Sequence, residues 1–331
     1  MKIGMSLKEK YGSGLWAFGQ VADRFNPRGY KVPLTTEQQL ELATQVKALR
    51  GVELHYPTDF KRDEVEKVKA ILTRCNLEVP TVCLNFFTEP KWQKGSLTSK
   101  DPNLRRETIE TAKEAVDIAG EIGANACTLW LGQDGHDYLF YDHRRAWDWM
   151  FNGISEITRY NEKVKIFLEY KQKEPRTHIQ ISNVGKALFI VNKLGLKNLG
   201  VVIDVGHALM SDENLAESVE IVARNETPFT MHFNDNYGYW DDDMIPGSVN
   251  FWRYVELFYQ LKKIGYEGWY DLDIFPYRED SVRAVEQGIG FIDYVRRRVG
   301  EYYGEINSLV EEGNVHKTID GLRKIFLKGC E

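Results

Sequence analysis

The sequence predicts an α/β fold in which eight strand-then-helix units close into a (β/α)8 TIM barrel, followed by a short C-terminal helical extension. Short runs rich in β-branched and aromatic residues alternate with longer amphipathic segments from one end of the chain to the other. There are eight such runs, and the glycine-rich fingerprint of an open dinucleotide-binding sheet does not accompany them. We therefore expect the barrel over residues 1–300 and the extension over residues 301–331.

Each predicted strand is a short apolar run bounded by polar or turn-forming residues. The segments between the strands have helical periodicity and recognisable start signals. One example, DPNLRRETIETAKEAVDIAGEIG, opens on Asp101 with Pro102 next and ends on Gly123, and TTEQQLELATQVKAL is another. The final segment, from Glu301 onward, is amphipathic, so we expect it to pack on the barrel or on a partner subunit. In chain order the predicted strands cover residues 13–18, 52–56, 78–87, 125–131, 165–170, 199–204, 229–234 and 268–273.

Composition narrows the class of ligand and the cellular location. The 331 residues are 43% hydrophobic and 28% charged, which is typical of a soluble protein with a sizeable core. A formal net charge of -6 disfavours nucleic acid, whose binding needs clustered Lys and Arg, and favours a small-molecule substrate. The four cysteines lack the spacing of a disulfide framework or a thiolate zinc site. Because neither a signal peptide nor a run of about 18 apolar residues is present, we expect a cytoplasmic protein without a membrane span.

Polar side chains concentrate where the predicted strands end. In a barrel of this kind the carboxyl ends of the strands form the active site, so these side chains should converge on one mouth. Carboxylates that lie close together repel one another, and a divalent cation is the simplest way to neutralise them. Oxygen and imidazole ligands without thiolates favour Mg²⁺, Mn²⁺ or Co²⁺, and the acidic groups suffice for two such ions. The residues concerned are His55, Glu169, Lys171, Asp204, His207, His232, Asp241, Asp243, Asp271 and Asp273.

Several of these residues also have a structural interpretation when each is taken alone. Asp204 or Asp241 could cap the helix that follows its strand, and His55 could be a satisfied polar group at a strand end. The run Asp241 to Asp243 could be a solvated turn. Glu169 is harder to explain in this way, because it closes the apolar run KIFL and needs a cation or several donors to offset its desolvation. The whole group favours a metal site.

Three aromatic residues lie at or near strand ends at the same mouth, namely Trp16, Phe87 and Trp130. The structural interpretation of each is packing in the core or at the rim of the barrel. The functional interpretation is an apolar wall, which would exclude water from a reaction whose migrating hydrogen must not exchange with solvent.

Several motifs resemble those of metal-dependent aldose–ketose isomerases of the xylose isomerase-like barrel superfamily. GLWAFGQVADRFNP is similar to the first strand and loop of xylose isomerases, NFFTEPKWQKGSLTSKDPNLRR to the third strand, LEYKQKEPR to the Glu-x-Lys strand, and LDIFPYRED to the last strand. VIDVGH and HFNDNYGYWDDDMIPGS are closer to L-rhamnose isomerases, which use Asp-x-x-His and a His followed by Asp-x-Asp. Where xylose isomerases support the His of strand two with an Asp three residues later, this chain has Thr58, and Asp59 follows.

The resemblance implies a role for each of these residues. Lys171 would donate to the substrate oxygen at C1, His55 would open the sugar ring, and Phe25 would reach into the site of a neighbouring subunit in a homodimer or homotetramer. Trp16, Phe87 and Trp130 would form the apolar wall. Asp204 would bridge two divalent metal ions, one also held by Glu169, His232 and Asp273 and the other by His207, Asp241 and Asp243.

The reaction that we expect is interconversion of a free aldose and its 2-ketose by a metal-assisted 1,2-hydride shift, with Asp241 or Asp243 orienting a water molecule. The principal alternative is a ketose 3-epimerase of the same fold, which moves a proton at C3 between two acids. That reaction needs a second acid near the eighth strand, where this chain offers Asp273 instead of Glu. An apurinic-site endonuclease is disfavoured by the acidic charge, and a non-catalytic sugar-binding protein by the cost of burying so many carboxylates.

Overall fold

The computed structural model describes residues 9–124 and 126–327. Eight parallel strands close a barrel, which confirms the predicted fold class. Around the barrel the strands follow the order β1-β10-β9-β8-β6-β4-β3-β2. Each barrel strand therefore pairs with the barrel strands that precede and follow it in the sequence, and the last pairs with the first. A two-stranded antiparallel sheet, β5 with β7, lies outside the barrel. The strands are β1 Tyr11–Gly14, β2 Gly51–Tyr56, β3 Val82–Asn85, β4 Ala126–Trp130, β5 Gly135–His136, β6 Lys165–Glu169, β7 His178–Ile179, β8 Leu199–Asp204, β9 Phe229–Phe233 and β10 Tyr270–Leu272.

Several helices begin and end at capping residues that the sequence supplies. The side chain of Asp101 accepts a hydrogen bond from the backbone N–H of Asn103, and Gly123 ends the same helix with a left-handed backbone. Thr35 forms a capping box with Gln38 at the start of the first helix. The helices are α1 Thr36–Ala43, α2 Val65–Cys75, α3 Pro102–Ile122, α4 His143–Tyr160, α5 Val184–Leu194, α6 Val205–Met210, α7 Leu215–Arg224, α8 Phe251–Ile264, α9 Ser281–Glu301, α10 Tyr303–Glu312 and α11 Val315–Phe326.

The first strand differs from the prediction. It covers Tyr11–Gly14, and the segment Leu15–Phe18 that was predicted as strand forms a 3₁₀ turn. A Cβ on Gly14 would lie 2.0 Å from the indole of Trp16, so the missing side chain lets the chain turn at this point and fold the ring back. Trp16 therefore stands above the end of the strand, over the mouth of the barrel. The predicted fourth strand began at Asn125, which lies outside the described residues.

Most of the apolar core lies between the strands and the surrounding helices. Because side chains alternate between the two faces of a strand, residues two apart point into the barrel together. A small apolar cluster of Ala126, Phe167 and Val202 occupies part of this interior. Glu169 and Asp204 lie two residues beyond Phe167 and Val202 on the same strands, which places their carboxylates at the mouth.

Helices α10 and α11 follow the barrel and pack against α8. Tyr303 stacks on Tyr259 with ring centroids 5.7 Å apart, and Phe326 contacts Phe251 edge-on at 5.9 Å. The extension that the sequence predicts to residue 331 is described as far as Leu327, and residues 328–331 lie outside the described part. No helix in the described part of the chain has the length and apolar character needed to cross a bilayer.

Candidate active site

Two groups of potential metal ligands lie side by side at the mouth of the barrel, and both contain Asp204. Within each group the candidate oxygen and nitrogen atoms all lie within 4.8 Å of one another. The first group holds carboxylates and one imidazole, and the second holds two carboxylates and one imidazole. The first consists of Glu169, Asp204, His232 and Asp273, and the second of Asp204, His207 and Asp241.

The register of the barrel brings the first group together. Glu169 is the last residue of β6, Asp204 is the last residue of β8, and His232 of β9 lies directly opposite Asp204. Asp273 follows β10, and the indole Nε1 of Trp16 donates a hydrogen bond of 2.7 Å to its Oδ1. Four separate strand ends thus supply one compact set of ligands, as expected for a barrel active site.

Asp204 serves as a helix cap and as a candidate ligand at once. Its Oδ1 accepts a hydrogen bond of 2.7 Å from the backbone N–H of His207 and so caps α6. The Nδ2 of Asn234 donates to Oδ2 of Asp204 at 3.0 Å, while Oδ1 of Asn234 accepts from the N–H of Gly206 at 2.6 Å. These contacts fix the carboxylate between the two ligand groups. The structural and functional interpretations of Asp204 are therefore compatible.

Several buried ligand atoms in these groups have no aligned hydrogen bond from the described residues. They are Nδ1 of His207, Nδ1 of His232 and Oδ1 of Asp241. Buried polar atoms in proteins are normally satisfied, so a group of unsatisfied atoms of ligand type requires an explanation. Oxygen and nitrogen atoms that converge in this way fit a divalent cation such as Mg²⁺, Mn²⁺ or Co²⁺.

Lys171 is buried beside the second group. Its ammonium lies 2.9 Å from Oδ2 of Asp241, contacts Glu174, and stands over the ring of Trp130 at 5.1 Å from the centroid. Nε2 of His207 lies 3.0 Å from the same Oδ2 of Asp241. Asp241 therefore links Lys171 to an imidazole of the second ligand group.

Close packing of charges shifts the pKa values of these side chains. Burial raises the pKa of Asp204 to about 7, and it also raises that of Asp243 well above its ordinary value, with Asp241 adding to the effect. Burial would raise the pKa of Asp241 as well, but Lys171 and His207 hold it well below its usual range. Burial by itself would lower the pKa of His207. The carboxylates of Asp204 and Asp241 outweigh this effect and raise that pKa to about 9. In the absence of a cation, the raised pKa values therefore favour the protonated forms of Asp204, Asp243 and His207.

This electrostatic arrangement predicts the pH dependence of the metal-free protein. The folded-state pKa of Asp204, about 7, lies above its ordinary value, so its contribution to stability is present at acid pH and is lost as pH rises through 7. His207 affects stability in the same direction, because its pKa is also raised by folding. Its contribution to stability is present at pH values below its ordinary pKa and is lost as pH rises through about 9. We expect the melting temperature of chelator-treated protein to fall by several degrees between pH 5 and pH 8, and added Mn²⁺ to abolish that fall. A melting temperature independent of pH, or unaffected by Mn²⁺, would contradict this electrostatic account.

The cavity above the ligand groups has a volume of about 240 Å³ and an aromatic wall. Phe87 and Trp130 meet edge to face with ring centroids 4.3 Å apart, and Trp16 lies against the imidazole of His55 at 4.4 Å. All three aromatic residues that the sequence singled out line this cavity, together with Trp240, Phe275 and Tyr277. One side of the cavity is thus apolar and the other carries the candidate ligands and Lys171.

Among the predicted site residues, His55, Asp243 and Phe25 belong to neither ligand group. The ring of His55 lines the cavity, but Asp59 accepts a hydrogen bond from the backbone N–H of His55 at 2.6 Å and supports the loop there. Asp243 lines the cavity but belongs to neither ligand group, and its Oδ1 lies 3.5 Å from Nδ2 of Asn234. Phe25 is 78% exposed and is absent from the cavity of its own chain.

The structure adds residues that the sequence analysis did not single out. Glu53 is buried inside the barrel with its Oε2 3.0 Å from Nε2 of His232, and Glu174 joins Lys171 at the cavity. Asn234 orients Asp204, as described above. Glu53 could have been found from its position, because a charged residue between Val52 and Leu54 points into the barrel on the same face as His55. The roles of Asn234 and Glu174 depend on loops whose course the sequence pattern does not reveal.

Comparisons with known proteins agree with this architecture. A family model described as a xylose isomerase-like TIM barrel matches residues 40–295. The chain is 26% identical over 298 residues to a xylose isomerase of Thermus thermophilus, covering 84% of this chain and 76% of that protein. A xylose isomerase of Thermus caldophilus is 25% identical with the same coverage.

Solved structures with the same fold include sugar epimerases and an epimerase-like protein. A D-tagatose 3-epimerase-like protein has a TM-score of 0.67 at 22% identity, covering 88% of this chain and 99% of that one. An L-ribulose 3-epimerase has a TM-score of 0.71 at 12% identity, covering 90% and 98% respectively. At these identities the likeness shows the fold alone.

Proposed function

Since the chain belongs to the xylose isomerase-like TIM-barrel family, we propose that it is a metal-dependent aldose–ketose isomerase that acts on a free monosaccharide by a 1,2-hydride shift. The observation that carries this proposal is the pair of ligand groups that share Asp204, next to Lys171 and facing an aromatic wall. The identity of about a quarter to xylose isomerases over most of the chain supports it. Neither the fold nor the acidic cluster alone would distinguish this reaction from others of the family.

Divalent cations in the two ligand groups would act as Lewis acids on the sugar's oxygen atoms and lower the pKa of a hydroxyl or bound water. Glu169, Asp204, His232 and Asp273 would hold one ion, and Asp204, His207 and Asp241 the other, with Asp243 nearby. The oxygen-rich ligand set suits Mn²⁺, Co²⁺ and Mg²⁺ alike.

Lys171 would stabilise the carbonyl oxygen at C1. Its ammonium is already desolvated, and Asp241 and Glu174 hold it in place. Orienting this ammonium therefore takes little free energy when the substrate binds. Asp241 or Asp243 would accept and return the hydroxyl proton through a water molecule, because both carboxylates line the cavity. His55 also lines the cavity, where it would assist ring opening.

The aromatic wall would protect the hydrogen that migrates between C2 and C1. Trp16, Phe87 and Trp130 present ring carbons where a polar wall would retain water. Excluding water keeps the migrating hydrogen from exchanging with solvent and strengthens the electrostatic interactions of Lys171.

The size and charge of the cavity predict a neutral, single-sugar substrate. A volume of about 240 Å³ is smaller than the roughly 300–1,000 Å³ of pockets that hold drug-sized ligands. None of the described residues lining the cavity is an arginine, and the ammonium of Lys171 is already paired. We expect free aldoses to be converted with a kcat/KM at least about tenfold above that of their terminal phosphates, measured with both substrates at the same free metal concentration. Equal values would contradict the assignment of a neutral substrate.

A direct test of the proposed function begins with protein that has been stripped of metal by a chelator. Mn²⁺, Co²⁺ or Mg²⁺ is then added back, and a panel of aldoses and ketoses is followed by chromatography. We expect conversion of an aldose to its 2-ketose that depends on the added metal. Conversion that persists in chelator, or no conversion of any aldose, would contradict the proposal.

Ketose 3-epimerisation is the second candidate, because several solved structures of this fold are ketose 3-epimerases or resemble them. In this chain Glu169 and Asp273 would have to be the two acids that exchange a proton at C3, and both are also candidate ligands of one ion. Lys171 would then have no carbonyl at C1 to stabilise. Ketose-to-ketose conversion without any aldose would favour this reaction.

We also propose that the chain forms a homodimer or homotetramer in which Phe25 completes the cavity of a neighbouring subunit. Its ring is 78% exposed although it lies in the loop that follows β1 at the mouth of the barrel. If so, mixing Phe25→Ser subunits with Lys171→Met subunits should restore activity, since some sites would then combine an intact Lys171 with an intact Phe25. A monomer in analytical ultracentrifugation would contradict this proposal.

A further inference from the structure

Glu53 is a buried carboxylate that the proposed reaction does not use. It lies on β2 with its side chain 1% exposed, beneath the ligand groups and two residues before His55. Thr81 Oγ1 donates a hydrogen bond to its Oε1 at 3.0 Å, and Cys83 Sγ donates to its Oε2 at 3.3 Å. A carboxylate this deep in a barrel is costly unless charged or donating partners offset its desolvation.

Among the described residues, the basic side chain in ion-pair contact with Glu53 is His232. The Nε2 atom of His232 lies 3.0 Å from Oε2 of Glu53, on the side of the ring that faces away from the ligand group. The other nitrogen, Nδ1, lies 3.4 Å from Oε1 of Glu169 and 3.6 Å from Oδ2 of Asp273. The imidazole therefore stands between a buried carboxylate and the candidate metal ligands.

A neutral imidazole carries its proton on one nitrogen and a lone pair on the other, so it can serve as a ligand only through the second. A carboxylate next to one nitrogen holds the proton there, fixes the ring, and makes the opposite nitrogen a better donor to a metal. The positions of Glu53, Thr81 and His232 provide such an arrangement. Thr81 donates to Oε1 of Glu53, whereas Oε2, which also accepts from Cys83, lies next to the ring.

We propose that Glu53 is a positioning residue of the metal centre, which keeps the proton of His232 on Nε2 and so presents the Nδ1 lone pair to the cation. This inference rests on the proposed function in one respect, that the group containing His232 binds an ion. Glu53 itself touches neither the ion nor the substrate. Its effect should therefore pass entirely through His232.

The test measures Mn²⁺ binding by calorimetry on chelator-treated protein, independently of catalysis. We expect Glu53→Gln to weaken binding of the tighter ion by about 10- to 100-fold, because the amide keeps the shape but loses the charge that orients the ring. In a His232→Ala background the same change should have no further effect, since the residue through which it acts is gone. Asp134→Asn is the matched control, because this carboxylate is fully buried and accepts its bonds from Ser96 and Thr98.

A second route to the same answer perturbs Glu53 indirectly. Thr81→Val removes the hydroxyl that holds Oε1, and we expect a smaller weakening, of a few-fold, that again disappears in the His232→Ala background. In Co²⁺-loaded protein, Glu53→Gln should also change the visible absorption bands, which respond to the geometry of the ligands.

Four results would count against these claims, and those that concern Glu53 are distinguishable from the one that concerns the proposed function. Wild-type affinity in Glu53→Gln, or an equal weakening with and without His232, would overturn the role of Glu53 while leaving the metal centre intact. A weakening of the same size in Asp134→Asn would show that the loss of any buried carboxylate suffices, which also overturns it. Failure of the unaltered protein to bind Mn²⁺ would overturn the proposed function itself and the inference with it.

Discussion

Replacing Asp204 by Asn is expected to remove the metal-dependent activity, with kcat/KM reduced on the order of 10³-fold or more. Asp204 is the one residue common to both ligand groups, so an amide in its place weakens both cation sites at once. A 10³-fold loss corresponds to ~4 kcal/mol of transition-state stabilisation, which is the scale of a Lewis acid acting on a developing charge. Metal content measured by atomic emission after gel filtration should fall together with the activity.

The fold should survive this substitution, which makes the experiment interpretable. Asp204 caps α6 through the N–H of His207, and Asn is about as good a helix cap as Asp. The matched control is Asp242→Asn, since Asp242 lies outside both ligand groups and accepts a hydrogen bond from the N–H of Tyr237. Full activity in Asp204→Asn, or an equal loss in Asp242→Asn, would contradict the assignment.

Replacing Lys171 by Met is expected to lower kcat by about 10²- to 10³-fold while the protein still binds its metal ions. Loss of one well-oriented donor to a developing oxyanion has this magnitude. Met fills a similar volume, and Asp241 keeps its contact with Nε2 of His207 at 3.0 Å, so the second ligand group should persist. Steady-state kinetics and metal analysis on the same preparation measure both effects.

The neighbouring Lys173 provides the control for this experiment. It lies two residues further along the same loop, and its side chain is partly exposed and absent from the cavity lining. Lys173→Met should therefore leave kcat within about twofold of the unaltered protein. If Lys171→Met lost its metal ions as well as its activity, Lys171 would be a structural support of Asp241, and its role at the substrate carbonyl would be wrong.

The fold class and many residues of the candidate site could be predicted from the sequence, because both depend on short-range sequence patterns. Strand periodicity places Glu169, Asp204 and His232 at strand ends, and a closed barrel brings strand ends together. The same period of two explains why Asp271 lies below Asp273, which joins the ligand group. The register of β10 with β9 places Asp271 opposite His232, so the choice between the two aspartates needed the positions of their side-chain atoms.

The parts that the sequence left open depend on loops and on individual side-chain contacts. Gly14 and the size of the Trp16 ring end the first strand earlier than its apolar pattern indicates. The partner of Asp59 is the backbone of His55, which no spacing rule predicts. Asn234 lies between Asp204 and Asp243 because Gly206 fixes its amide oxygen, a contact between residues 28 positions apart in sequence.

The measurement that tests the central claim most directly uses an aldose carrying deuterium at C2. The sugar that the metal add-back panel identifies is converted in ordinary water by the metal-loaded protein, and the ketose is analysed by NMR and mass spectrometry. A 1,2-hydride shift behind the aromatic wall predicts that the deuterium is retained and appears at C1 of the ketose. Loss of the label to solvent during turnover would show that a base removes it as a proton, and it would contradict the hydride-shift isomerase proposed here.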